Sequence, residues 1–181
     1  MGSADRVRAG RVHVQDGSHT SRFASVQALL YEKTGDPTAR EKAFRSFNWA
    51  SYMCDRRGVV RVGPVESSYW FSDGYGDYIR HFMAGMGAVP EWAPRGKDHL
   101  VRSTSVVAEV AYEPRAVRYR TFDASGEEVL RLALTPKAVT ADGETLPRAS
   151  ATPGWSFDPK TGVLRVRRSA ARQVSVEGDP R

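Results

Sequence analysis

Between Pro90 and His99 the spacing of apolar residues in this 181-residue chain changes from three or four to two. A side-chain period near 3.6 belongs to helices and a period of 2 to strands, so one uniform architecture is excluded. Upstream of the change, Phe23, Val26 and Leu30 share a helical face, and the spacing predicts an amphipathic helix over 21–33 with Thr20 or Ser21 as its N-cap. Thr34-Gly35-Asp36-Pro37 stops that helix and starts the next: Gly35 suits the left-handed position after a helix, Asp36 an N-cap, and Pro37 a first turn. So short a turn makes the two helices antiparallel neighbours. The second helix is expected over 37–53, with Ala39, Ala43, Phe44, Phe47, Ala50 and Cys54 on or near its apolar face. After an irregular stretch over 55–71, Ser72 or Asp73 caps a third helix. Its stripe is Tyr75, Tyr78, Ile79, Phe82, Met83, Met86 and Val89, and Pro90 ends it. Gly85 and Gly87 each cost this helix about 1 kcal/mol of propensity, as close approach by another helix would require.

Downstream, short alternating runs begin at Val106, Ala116, Val129, Ala138, Trp155, Val163 and Arg172. They are separated by turn residues at Glu113-Pro114, Ala124-Ser125-Gly126, Asp142-Gly143 and Asp158–Gly162. Seven or eight strands at this spacing predict an antiparallel β-sandwich. Leu130, Leu132 and Leu134 are expected on one face of a single strand, and Arg165 and Arg167 opposite Leu164 and Val166. The expected organisation is therefore α+β in two segments. An irregular 1–20 precedes a helical segment over 21–90, a linker over 91–99, a sandwich over 100–177 and a frayed tail over 178–181.

Composition removes several function classes. The single cysteine, Cys54, excludes an internal disulfide and a thiolate metal cage within one chain. Of 27 basic residues only 5 are lysine, and the arginines are dispersed, so the net charge of +6 does not form the basic stripe that nucleic-acid binding needs. No run reaches the roughly 18–20 apolar residues of a membrane-spanning helix, and no apolar stretch near Met1 resembles a signal peptide, which makes a cytoplasmic chain the expectation. Phosphate-loop, dinucleotide and nucleophile-elbow motifs are missing, and no cofactor is expected.

The stretch S-Y-W-F-S-D-G-Y-G-D-Y-I-R-H, Ser68 to His81, has the composition of a site: aromatic rings, two carboxylates, an arginine and an imidazole around two glycines. Three helices running up, down and up start the first and third at the same end. That end gathers Asp16, His19 and Thr20 with Trp70, Ser72, Asp73 and Tyr75. Helix N-termini favour anionic groups through their unpaired N–H groups and dipole. Asp73, Asp77 and His81 are spaced four apart on one helical face. In the catalytic reading Asp73 is the general acid or base, Asp77 or His81 tunes it, and Trp70 and Tyr75 stack on a sugar ring. In the structural reading Asp73 is an N-cap, Asp77 a partner of Arg80 or His81, and the aromatics are core. Asp77 and His81 lack a third metal ligand, so no metal is expected.

The run F-A-S-V-Q-A-L-L-Y-E-K-T-G-D-P through Y-W-F-S-D-G-Y-G-D-Y-I-R-H-F-M-A-G-M-G-A-V-P-E-W resembles the last hairpins of six-hairpin (α/α)-toroid proteins of carbohydrate metabolism, glycoside hydrolases and polysaccharide lyases among them. The stretch V-R-Y-R-T-F-D-A-S-G-E-E-V-L-R-L through G-W-S-F-D-P-K-T-G-V-L-R-V-R resembles the β-sandwich that follows the toroid in many bacterial members. The resemblance implies an N-terminal helical hairpin piece of an (α/α) toroid, followed by an antiparallel β-sandwich. It also implies a glycan substrate, Trp70 and Tyr75 as stacking platforms, and Asp73 as acid or base. A lyase-like variant draws instead on Tyr75, Arg80 and His81 around an acidic sugar. A full toroid needs about a dozen helices and this sequence offers three. The expectation is thus a C-terminal piece of a larger enzyme, inactive until an upstream toroid portion completes its pocket. The rival expectation is a non-catalytic binding sandwich using Trp155, Tyr112 and Tyr119 as a sugar platform, or a helical fragment that binds another chain.

Overall fold

The computed structural model describes residues 17–54 and 73–180, with side chains over 19–54 and 78–180. The described residues are α+β, three α-helices and then two antiparallel sheets of four and five strands. The chain divides into two compact units, Met1–Val89 and Pro90–Arg181.

The helices are α1 (Gly17–Thr34), α2 (Pro37–Ser51) and α3 (Asp73–Ala88). The turn between α1 and α2 has the expected chemistry. Gly35 sits at φ 72° and donates its N–H to the Tyr31 carbonyl at 2.8 Å. The Asp36 carboxylate accepts the Thr38 N–H at 2.8 Å as the N-cap of α2, with Pro37 in its first turn. Two helix boundaries differ from expectation. α1 begins at Gly17 rather than Ser21, so Thr20 and Ser21 are not caps, and Ser21 is a buried interior position. α2 ends at Ser51 rather than Met53.

The larger correction concerns which helix faces are covered. α1 buries its small residues, Ser21, Ala24, Ser25 and Ala28, and exposes Phe23, Val26, Leu29 and Leu30. α3 buries Tyr78, His81, Gly85 and Ala88 while Ile79 and Met83 stay exposed. Of the apolar face expected on α2, Ala39, Ala43, Phe47 and Ala50 are buried and Phe44 is exposed. The physical reason is close approach. Small side chains let helix backbones come together, and the Phe47 ring lies where a Cβ on Gly85 would be, as the glycine-rich third helix suggested.

The second unit opens with a 3₁₀ turn (Pro90–Trp92) and continues through β1 (His99–Ser103), β2 (Val107–Glu113), β3 (Ala116–Thr121), β4 (Gly126–Arg131), β5 (Leu134–Ala141), β6 (Glu144–Thr145), β7 (Gly154–Asp158), β8 (Val163–Arg168) and β9 (Gln173–Pro180). The sheets read β1-β4-β8-β7 and β2-β3-β9-β5-β6. One core joins them, with Leu130, Leu164 and Val166 from the first and Val117, Tyr119, Val139, Val174 and Val176 from the second. Burial alternates along β8 as expected, Leu164 and Val166 inward and Arg165 and Arg167 outward, where both arginines pair with Glu127.

Three expectations fail in this unit. The run from Val129 to Leu134 is not one strand: the chain leaves β4 at Arg131 and enters the other sheet at Leu134. The Asp98 carboxylate accepts the Ala133 N–H at 2.7 Å at this crossing, where no strand partner is available. The linker expected over 91–99 already contains the 3₁₀ turn and the start of β1. Residues 178–180 are not a frayed tail, because β9 pairs with β5 as far as Pro180 opposite Leu134. Asp179 is anchored by Lys137 and, at 2.5 Å, by Arg115. The Lys137 hydrogen bond first, then the charges of both cations, hold the Asp179 carboxyl below the usual carboxylate range.

Candidate functional site

Three contacts fix the directions of the helices. The Tyr78 hydroxyl donates to the Ala50 carbonyl at 2.9 Å, and one turn later Phe82 meets Phe47 with ring centroids 4.6 Å apart. The contacts run backward along α2 as α3 advances, so these two helices are antiparallel. α1 is antiparallel to α2 through the Gly35-Asp36 turn, which makes α1 and α3 parallel. Their contact is Ser25 against His81, at 3.0 Å between Oγ and Nδ1. Ser25 lies eight residues after Gly17, and His81 eight after Asp73. Both helices therefore begin about 12 Å beyond this contact, at the same end of the unit.

The polarity of the clasp follows from its other bond. The Ser25 hydroxyl proton goes to the Arg22 carbonyl at 2.8 Å, leaving a lone pair toward the imidazole. With its proton so placed, the Ser25 oxygen is an acceptor for the Nδ1–H tautomer of His81. A serine so committed is no nucleophile. The His81 side chain is buried between helices, two turns from the helix mouth, where it holds α3 in register with α1. Burial first, then the Cys54 thiol nearby, push the Tyr78 phenol up to about 12, so it is a neutral hydrogen-bond donor at ordinary pH.

The residues singled out in the sequence distribute as follows. His19 is exposed in the first turn of α1, and Arg80 is exposed on α3. Asp73, Tyr75 and Asp77 are backbone positions in the first turn and a half of α3, at the same end as His19. Trp70, like Asp16 and Ser72, lies outside the described residues. His19 and the start of α3 are thus brought to one end, and His81 is set apart as a buried supporting group. The clasp partner Ser25 went unnoticed in the sequence; its signal is the Ser21, Ala24, Ser25, Ala28 spacing, which marks a small-residue contact face. Among the described residues no group of three metal-ligating side chains occurs, and no helix is long and apolar enough to cross a membrane.

The sugar platform expected on the sandwich is not assembled. Trp155 is only 4% exposed, its Nε1–H donating to the Leu146 carbonyl at 3.2 Å, and Tyr119 is 2% exposed in the core. Tyr112 is half exposed, and its hydroxyl accepts the Leu100 N–H at 3.0 Å. The polar centre of this unit is a buried ion pair instead. Arg168 donates to Glu128 twice, from Nε to Oε2 at 2.8 Å and from Nη2 to Oε1 at 2.7 Å. Its Nη1 donates to the carbonyls of Asp123, at 2.9 Å, and of Ala171. Glu128 also accepts from the hydroxyls of Tyr119 and Ser103, each at 3.2 Å. Tyr119 belongs to the five-stranded sheet and Glu128 to the other, so this network ties the sheets together. Every charged atom in it is satisfied and closed off from solvent, which is the arrangement of a structural pair rather than a reactive one. The chain matches no family model and no curated protein.

Proposed function

We propose that the chain is the C-terminal part of a glycan-degrading enzyme of the six-hairpin (α/α)-toroid kind, its helices contributing one wall of the substrate site. Asp73 serves as general acid or base, while Trp70 and Tyr75 stack on the sugar, and Arg80 and His19 engage its polar groups. Asp77 tunes Asp73, and the buried His81 positions α3 against α1. The observation that carries the reading is the parallel pairing of α1 and α3 through Ser25 and His81, which supports one shared helix mouth for His19, Asp73, Tyr75 and Asp77. Two carboxylates on a single helix do not flank a glycosidic bond, for which hydrolysis needs roughly 5–10 Å of separation across the sugar. The opposing group therefore comes from an upstream toroid portion, and the uncovered Phe23, Val26, Leu30, Ile79 and Met83 are consistent with packing faces for it.

Titration calorimetry against neutral and acidic oligosaccharides tests the reading. Binding that falls about tenfold or more in Trp70→Ala and Tyr75→Ala is the expected result. Affinity unchanged in both variants would remove the helix mouth as the glycan site. In a completed toroid Asp73→Asn abolishes turnover, and unaltered turnover would remove Asp73 from the chemistry.

A further inference from the structure

We propose that β2 is a homotypic docking edge: it pairs antiparallel with the β2 of a second copy, Val110 opposite Val110, joining two five-stranded sheets into one. Among the described residues β2 ends its sheet and pairs only with β3, and six of its seven residues are exposed. An open strand of this kind offers a row of unpaired N–H and C=O groups. The other sheet ends are blunted. At β1 the Tyr112 hydroxyl takes the outward Leu100 N–H at 3.0 Å. β7 is covered by the segment before it, the Trp155 N–H reaching the Pro147 carbonyl at 3.0 Å, and β6 is two residues long. β2 carries neither lysine nor proline, its bulge is confined to the end between Val107 and Glu109, and on the regular stretch that follows the inward-facing Val110 and Tyr112 remain 39% and 49% exposed.

The register follows from hydrogen-bond parity and charge. Glu113 and Ala116 close the hairpin, so Glu109, Ala111 and Glu113 turn their main-chain groups toward β3, and Val110 and Tyr112 turn theirs outward. A two-fold axis at Ala111 would set Glu109 directly opposite Glu113 of the second copy, and an axis at Glu109 would set Glu109 against itself. Both are like-charge pairs. An axis at Tyr112 brings Pro114 into the ladder, where it has no N–H to donate. The axis at Val110 avoids all three. It places Glu109 opposite Ala111 of the second copy, whose neighbour on β3 is Arg118, and the small Ala111 leaves that arginine room to reach the carboxylate. Glu109 and Glu113 are already accompanied by Arg120 and Arg118 within each chain, so the edge approaches its copy without a large net charge.

Sedimentation equilibrium of the full chain over a wide concentration series tests the proposal, with three variants. Val110→Pro removes only an outward donor, a substitution an edge strand tolerates, and is expected to abolish dimerisation while the circular dichroism spectrum is retained. Ala111→Lys sets a lysine opposite Glu109 of the copy twice and is expected to tighten the dimer about 2- to 30-fold, whereas Ala111→Glu weakens it by a similar factor. Within the chain the signs are opposite, because position 111 pairs with Arg118: the glutamate should raise the melting temperature of the variant and the lysine lower it. A general stability effect therefore cannot imitate the result. A chain that stays monomeric at every concentration, or a dimer indifferent to all three substitutions, overturns the proposal.

Discussion

Removing either half of the Glu128–Arg168 pair should cost far more than removing both. The two side chains have no solvent exposure. Arg168 spends its donors on the Glu128 carboxylate and the carbonyls of Asp123 and Ala171, and Glu128 accepts in addition from Tyr119 and Ser103. Burial disfavours the charged guanidinium, but the Glu128 hydrogen bonds and charge outweigh it and hold Arg168 above its ordinary value. Glu128→Leu leaves that cation in the core with neutral acceptors only, a loss of about 3–5 kcal/mol. Arg168→Met leaves a buried carboxylate with two hydroxyl donors, a loss of similar size. Domains of this length have only about 5–15 kcal/mol of stability, so either change threatens the fold of the second unit. With a urea slope of about 1–3 kcal/mol per molar, each midpoint should fall by roughly 1–5 M. The double variant removes both charges and fills the space with apolar atoms. The Asp123 and Ala171 carbonyls it strands are only part-buried, and the Ser103 hydroxyl keeps the Ser105 N–H, so the double variant should be more stable than the sum of the single losses predicts. Urea unfolding followed by far-ultraviolet circular dichroism of the strands would measure this. Single losses under about 1 kcal/mol that add in the double variant would refute the claim that the pair is sealed from water.

Gly85→Ala puts a methyl group into the Phe47 ring, and the strain of about 1–3 kcal/mol should exceed the roughly 1 kcal/mol gained in helix propensity; a raised melting temperature of the helical unit would contradict that packing. Ser25→Ala removes the hydroxyl that meets His81 Nδ1 at 3.0 Å and should destabilise the same unit by about 1–3 kcal/mol; an unchanged melt would dissolve the clasp. The Tyr78 phenol ionises near 10 when unfolded and at about 12 when folded, so the folded state holds the proton longer and the helical unit loses stability as pH rises from about 10 to 12. The loss is at most about 2–3 kcal/mol, and Tyr78→Phe should flatten that slope; an identical alkaline slope in the variant would show that another group sets it.

The sequence carried the backbone plan because turn chemistry is local. Asp36 and Pro37 start a helix wherever they follow a glycine in the left-handed region, and most of the strands declared themselves through alternation between turn residues. What stayed hidden depended on distant partners. Leu132-Ala133 reads as the middle of a strand, and only Asp98, far away in sequence, reveals that the chain changes sheets there. Glu128 sits in G-E-E-V-L-R, and its pairing with Arg168 across the sheet has no local signature. In α1 the rule that large apolar residues face inward picked Phe23, Val26 and Leu30, whereas close helix approach put Ala24, Ser25 and Ala28 inside. At the site, the four-residue spacing of Asp73, Asp77 and His81 was legible. That His81 belongs to a buried helix clasp was not, since burial of an imidazole depends on what faces it.

The most direct measurement is an amide NMR titration of the full chain with the oligosaccharide that binds most tightly, mapping which backbone groups respond. A helix mouth that receives glycan predicts shifts concentrated at His19 and from Asp73 to Arg80. Shifts confined to residues 99–180, with the amides of α1 and α3 unmoved at saturation, would contradict it and assign glycan binding to the sheets.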